Sequence, residues 1–344
     1  MFKPLFCQYK SQILIFIGVL ISFGFWYLNP FAFESASSKV LSIAILMIFL
    51  WVSDALPMPV VAVFPLVLFP LFKISPLDAT AKSFANPVIF LFFGGFMLGL
   101  AIEKWHLHRR IALNIIRLTG TKGDRIVLGF ILATGLLSMW LSNTATTMMM
   151  YPIALSVIAV IAKNKQEGAN YPFFNMTIML AIAYASNIGG IATIIGTPPN
   201  VAYIGYFQTK YGSEVDFMSW MTIATPLSLI LLFALYFVMV KWLYPSNIIA
   251  IRESENLMNQ EIKELGPMSI AEKRVLFVFI LTACLWIFRS LINGVQSAVK
   301  LDDTVIAMIA AILLFIIPSG TRNHEGVQSP LLRWEDTGKM AWGI

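Results

Sequence analysis

The chain has 344 residues, of which 58% are apolar and 12% charged, against roughly 45–50% and about 25% in ordinary soluble domains. That balance excludes a disordered chain and a water-soluble globular fold, and describes an all-α polytopic membrane protein. The formal net charge of +6 does not indicate nucleic acid, because the bases lie in short loops between apolar runs, where they orient a membrane protein.

Lys3 and Lys10 precede the apolar run 13–28, and Asn29-Pro30-Phe31 follows it in place of a small-residue cleavage site. The segment is therefore predicted to be a first transmembrane helix, at 11–29, and not a removed signal. Crossing a bilayer takes about 20 mostly apolar residues. On that measure further spans are predicted at 39–55, 58–72, 87–103, 218–243, 274–293 and 303–318. Asp54 with Pro57 and Pro59 marks a turn between the second and third. Residues 104–125 interleave Lys104, Arg109, Arg110, Arg117, Lys122 and Arg125 with Ile111, Leu113, Ile115, Ile116 and Leu118, the pattern of an amphipathic helix at the inner surface. Residues 244–273 form a charged inner linker.

Two regions fit no single straight span. Residues 126–162 hold no charge over 37 positions and carry Ser142-Asn143-Thr144 near the middle. Residues 175–208 hold none over 34 positions and are interrupted by Ser186-Asn187, a glycine pair and Gly196-Thr197-Pro198-Pro199-Asn200. If 126–162 enters and leaves on one side and 175–208 crosses once, an inner N-terminus leaves only Lys39, Lys73, Lys82, Lys210, Arg289 and Lys300 outside, with 18 of the 24 bases inside. A single crossing by 126–162 would divide the bases almost evenly, so the positive-inside rule favours the first arrangement. Two full spans would fit 126–162 only barely, and a re-entrant hairpin is the preferred reading.

A broken helix at membrane depth has to line a cavity or be buried in protein, and such segments point to the binding site of a secondary transporter. Small residues at helix contacts would explain either region alone; both together in adjacent uncharged segments favour a transport site. Half-helix N-termini and the amides and hydroxyls of Asn, Ser and Thr suit an anion. Asn and Ser oxygens with unwound carbonyls suit a hard cation such as sodium. Neither region contains Asp or Glu, which argues against a cationic substrate and a carboxylate proton relay.

Enzymatic chemistry finds no support. His106, His108 and His324 fall in predicted loops, with no HExxH or CxxC spacing, and a metal site at His106/His108 near Glu103 is a weaker reading than a solvated loop. Cys7 and Cys284 form no framework, and Met148-Met149-Met150 reads as packing.

Taken in order, Phe92-Phe93-Gly94-Gly95-Phe96, Ala101-Ile102-Glu103-Lys104, Leu107-His108-Arg109-Arg110-Ile111-Ala112, Leu141-Ser142-Asn143-Thr144-Ala145-Thr146, Ser186-Asn187-Ile188-Gly189-Gly190 and Gly196-Thr197-Pro198-Pro199-Asn200 resemble the divalent anion/sodium symporter family of sodium–dicarboxylate and sodium–sulfate cotransporters. The resemblance implies an inverted-repeat secondary transporter that forms a homodimer with elevator-like alternating access. It implies that Ser142, Asn143 and the Gly196 carbonyl hold a sodium ion, and that Asn143, Thr144, Thr197 and Asn200 face a small anionic substrate. It implies a horizontal helix at 104–118 in an integral protein of the plasma (inner) membrane, N-terminus cytoplasmic. The domains then read as an N-terminal helix (1–38), a first repeat (39–243, with hairpin 126–162 and unwound helix 175–208), the linker (244–273) and the beginning of a second repeat (274–344). One Ser-Asn-Thr motif is present where two are expected, so the second repeat reads as incomplete. A sodium-independent exchanger on the same fold, or a non-transporting half, are the alternatives.

Overall fold

The computed structural model describes residues 9–163, 170–245, 248, 259–296, 299–322 and 328–339. Lys3, Cys7, His324, much of the linker and the segment from Met340 onward lie outside the described residues. The chain packs as two units that divide between Asn86 and Pro87. This cut follows packing, and it does not coincide with the repeat boundaries read from sequence.

In the first unit, α1 (Lys10–Leu28) ends where Asn29 takes a left-handed conformation and its side chain bonds both the N–H and the carbonyl of Phe33. Next, α2 (Ser35–Val52) lies against it, with Phe49 over Gly18. Asp54 turns the chain at φ 52°. The expected third span resolves into two short helices, α3 (Met58–Ala62) and α4 (Phe64–Leu71). Pro65 accounts for the interruption at Val63, since it does not supply the N–H that a continuous helix needs, and Pro70 lies inside α4. After them, α5 (Leu77–Phe84) completes the unit.

The second unit opens with α6 (Pro87–Lys104), whose Gly94 meets the backbone of Ala307 on α14 (Asp303–Ile316). His106, in the left-handed conformation, turns the chain into α7 (Leu107–Thr119). This helix buries Leu107, Ala112, Leu113 and Ile116 and leaves Arg117 and Leu118 exposed, so the amphipathic pattern has a packing consequence. His108 is a correction to the sequence reading: it lies on α7 and is buried, because the face that repeats every three to four residues places it beside Leu107 and Ala112. Then follow α8 (Gly123–Ser138), α9 (Asn143–Lys163), α10 (Tyr171–Gly190), α11 (Pro198–Tyr211), α12 (Phe217–Tyr236, extended by a π-helical turn through Leu243) and α13 (Ile270–Val295). The structure is not purely helical. Pro318 stops α14, and Pro318–Arg322 (β1) pairs antiparallel with Gln328–Pro330 (β2) before a 3₁₀ turn at Trp334–Lys339.

Among the described residues six helical stretches are long and apolar enough to cross a membrane: Lys10–Leu28, Ser35–Val52, Leu77–Lys104 (which takes in α5 and α6), Asn143–Lys163, Phe217–Leu243 and Ile270–Val295. The chain is a multi-pass helical membrane protein. The first turn of α13 is fixed by a capping box in which Ser269 accepts from the Glu272 N–H and Glu272 accepts from the Ser269 N–H. The same Glu272 carboxylate receives Arg110 of α7 at 3.1 and 3.3 Å, while that guanidinium also donates to the Leu265 and Gly266 carbonyls. Removing one partner of a buried pair strands the other's charge, at about 3–5 kcal/mol. Arg110→Ala is therefore expected to lower the unfolding midpoint far more than the double change Arg110→Ala/Glu272→Leu, read by thermal unfolding in detergent.

His108 gives a pH signature. Burial holds its imidazole below the ordinary 6.5, assisted by the nearby His106 and Arg109 charges and opposed by the hydrogen bond to the Ile102 carbonyl. The unfolded chain then takes up a proton at higher pH than the folded one. Stability is full above 6.5 and falls as the pH drops through it. The loss of melting temperature on moving from neutral pH to about pH 5 should shrink in His108→Leu.

Candidate ion and anion site

The hairpin and the broken helix meet at one point. Gly135 of α8 lies against Gly189 of α10 so closely that a Cβ at Gly189 would overlap the Gly135 backbone. Thr147 of α9 donates to Ser186 of α10 at 2.9 Å. These contacts bring the C-terminal ends of α8 and α10 together with the N-terminal end of α9, and residues 123–163 form two helices joined by the turn Met139–Ser142. At 16 residues, α8 reaches only about 24 Å, whereas α9 at 21 residues reaches about 31 Å.

The second break, residues 191–197, folds against that turn. Thr193 donates to the Met139 carbonyl. From the far side α12 braces the same segment, with Trp220 on the Ile191 carbonyl at 3.0 Å, Thr225 on Ala192 at 3.1 Å and Ser228 on Ile188 at 2.8 Å. Backbone groups freed by the break are thereby satisfied inside protein, as hydrocarbon depth requires. Trp140, on the hairpin turn, stacks on Phe217 and Trp286 and meets Phe279 edge-on at 4.8 Å between ring centres. Beside that stack, Arg289 faces Asp303 at 3.3 Å, with Asp216 and Asp302 further off, and Asp303 accepts from the Phe217 N–H.

Asn143 is the hub. Its Oδ1 accepts from Ser138 at 2.8 Å, its Nδ2 donates to Asn187 at 3.1 Å, and its backbone carbonyl accepts from Thr147 at 2.8 Å. The carboxamide oxygen lies over Gly190, where a Cβ would overlap it and would also stand 3.2 Å from the Gly196 carbonyl oxygen. Two oxygens from two different breaks therefore bound the space that a side chain at position 190 would fill. Ser142 caps α9, its Oγ accepting from Ala145 at 3.2 Å and its carbonyl from the Thr146 N–H at 2.9 Å. That leaves the Asn143 and Thr144 N–H groups open at the helix N-terminus, with the Thr144 side chain exposed.

The two half-helix N-termini are not equivalent. Pro198 and Pro199 begin α11 without N–H groups, and the Asn200 N–H is spent on the Thr197 carbonyl at 3.1 Å. Only α9 presents free amides. Asn200, expected to face an anion, is buried, and its amide donates to the Gly190 and Thr193 carbonyls at 2.9 and 2.8 Å. It braces the break, while Thr197 remains partly exposed beside it.

Asn143 and the Gly196 carbonyl thus come together over Gly190, with Ser142 and Thr144 beside Asn143 in the chain. Sequence reasoning did not find Ser138, Thr193, Trp220, Thr225 and Ser228, which are ordinary small or interfacial residues in apolar segments until the fold turns them onto the breaks. Among the described residues no group of three or more His, Cys, Asp or Glu could hold a metal. The polar atoms gathered here are neutral, and neutral oxygens suit a weakly held alkali cation better than a tightly held transition metal.

Comparison with known proteins places the chain in context. The family described as the sodium:sulfate symporter transmembrane region matches residues 9–344. A sodium-dependent dicarboxylate transporter of Staphylococcus saprophyticus is 35% identical over 336 residues, covering 96% of this chain and 63% of the relative. One of Staphylococcus aureus is 36% identical over 317 residues, covering 89% of this chain and 59% of the relative. The chain spans about three-fifths of the length of these curated relatives.

Gly190→Ala tests the junction directly. The added methyl has to displace the Asn143 carboxamide or the Gly196 carbonyl, so sodium-specific stabilisation of the purified protein should disappear. A wild-type response of this variant to sodium over choline, measured as a melting-temperature difference, would mean that no ion sits between those oxygens.

Proposed function

This chain belongs to the sodium:sulfate symporter family, a family of transporters and not of enzymes, and we propose that its hairpin and broken helix form a site that couples sodium entry to uptake of a small divalent anion. The observation that carries the reading is the convergence of Asn143 Oδ1 and the Gly196 carbonyl over Gly190. Sodium is a co-substrate here and not a resident cofactor. Ser142, Asn143 and the Gly196 carbonyl supply its oxygens, and Ser138 orients the Asn143 carboxamide through its 2.8 Å bond.

The anion lies at the N-terminus of α9. Open amides at Asn143 and Thr144 and the positive end of the helix dipole favour negative charge by about 0.3–2 kcal/mol. The Thr144 hydroxyl and Thr197 line the same approach. A bound sodium adds a full positive charge next to that approach, so each ligand raises the affinity for the other by the same factor. That reciprocity is the physical basis of symport, and it needs no carboxylate. Asn200 serves as the brace of the Gly196 loop and not as an anion ligand. A dicarboxylate is the favoured substrate class, given the activity named for the two staphylococcal relatives; citrate and sulfate belong to the same chemistry.

The hairpin is re-entrant in this reading, with α8 too short to cross about 30 Å of hydrocarbon and its turn at mid-depth. The N-terminus is cytoplasmic, in a plasma or inner membrane, because that orientation keeps all but six of the 24 bases on the inner side. The working unit is a homodimer.

The test combines binding and flux. Sodium should raise the unfolding midpoint over choline, succinate should raise it further only with sodium present, and Asn143→Ala should abolish both shifts. In proteoliposomes, succinate uptake should require an inward sodium gradient. Uptake unchanged by choline would make the protein an exchanger on the same fold, and equal midpoints in sodium and choline would remove the ion site altogether.

A further inference from the structure

A cavity of about 360 Å³ lies within the first unit, between α1, α2 and the end of α4, within the range of about 300–1,000 Å³ usual for ligand pockets. Its walls are apolar, built from Phe23, Trp26, Ile43, Leu46 and Phe72, and the one charged side chain on it is Lys39. Ser22 and Ser42 also reach the cavity, but their hydroxyls are spent on the Ser42 and Ser38 carbonyls at 2.7 and 2.8 Å. Water has no partners on such walls beyond the lysine, so the cavity suits a hydrocarbon chain.

Lys39 decides what heads that chain. It is half-buried, and its ammonium donates to the Phe72 carbonyl, at the C-terminal end of α4, at 3.1 Å. An ammonium carries three donors. Among the described residues no carboxylate stands within ion-pair distance of it. The ammonium sits at the exposed edge of the apolar cavity with donors to spare, where a phosphate can meet it while the hydrocarbon enters the cavity. The bilayer supplies hydrocarbon and phosphate on one molecule. We infer that this cavity is a binding site for an anionic phospholipid, with one acyl chain between Phe23, Trp26 and Leu46 and the headgroup phosphate on Lys39. The site lies within the first unit and uses none of the residues of the ion and anion junction.

The test uses the whole chain, delipidated in a neutral detergent, with dioleoyl phosphatidylglycerol, dioleoyl phosphatidylcholine and inorganic phosphate as probes. Phosphatidylglycerol should raise the unfolding midpoint by about 2–4 °C, phosphatidylcholine and phosphate should not, and Lys39→Gln should lose the difference. A second readout needs no change at Lys39. Phosphatidylglycerol brominated on its acyl chains should quench the Trp26 emission, taken as wild type minus Trp26→Phe, at least twofold more than brominated phosphatidylcholine. Equal effects of the two lipids in both readouts would overturn the proposal. So would a shift produced by inorganic phosphate alone, which would leave Lys39 as a free-anion site, or a Lys39→Gln protein that keeps the preference.

Discussion

The site depends on how closely two pieces of backbone approach each other. Gly135 against Gly189, and Gly190 against Gly196, allow main chain to touch main chain where any Cβ would hold them apart. Membrane helices gain little from burying apolar surface against each other, since lipid is as apolar as leucine, and close packing of small residues supplies the contact instead. Once α8 and α10 are joined in this way, their interruptions fall at one height. Asn143 of the hairpin and the Gly196 carbonyl of the broken helix are then brought to the same small space.

Breaking two helices exposes polar backbone, and the protein answers with side chains on neighbouring helices. Asn200, Thr193, Trp220, Thr225 and Ser228 each bond the loop 188–193 or the hairpin turn. None of them is charged. A carboxylate at this depth would bind a cation too tightly to release it and would repel an anionic substrate. In the proposed function a neutral cage leaves the ion's affinity modest, and the bound ion itself creates the attraction for the anion. Proline at both first positions of α11 fits the same logic, because it removes donors at the end where carbonyl oxygens are needed and leaves donors only at α9.

Charge is used around this neutral interior to fix the frame. Arg110 and Glu272 tie the amphipathic helix to the start of α13 and satisfy two carbonyls that precede it. Arg289 and Asp303 hold the ends of α12, α13 and α14 beside the Trp140–Phe217–Trp286 stack. The hairpin turn is therefore seated on aromatic faces next to an ion pair, while its other face meets the broken helix.

Much of this was legible in the residues. The apolar runs gave most of the helices to within a few positions, because a membrane helix has to satisfy its own backbone, but 58–72 is two short helices and the helix at 303–316 is shorter than a span. The uncharged stretches with Ser-Asn-Thr and Thr-Pro-Pro-Asn marked the breaks, since polar and helix-breaking residues are too costly at that depth to lack a reason. Sequence placed His108 in a loop and missed the β-ribbon after α14, because both depend on where neighbouring helices lie and not on local preference. The resemblance assigned Asn200 to the anion. Only the tertiary structure shows that its amide is turned onto the Gly190 and Thr193 carbonyls, and that Ser138, outside the motifs, joins Asn187 in steadying the Asn143 carboxamide. Residue type determines which hydrogen bonds a side chain can make; which of them it does make is decided by what the fold brings within about 3 Å.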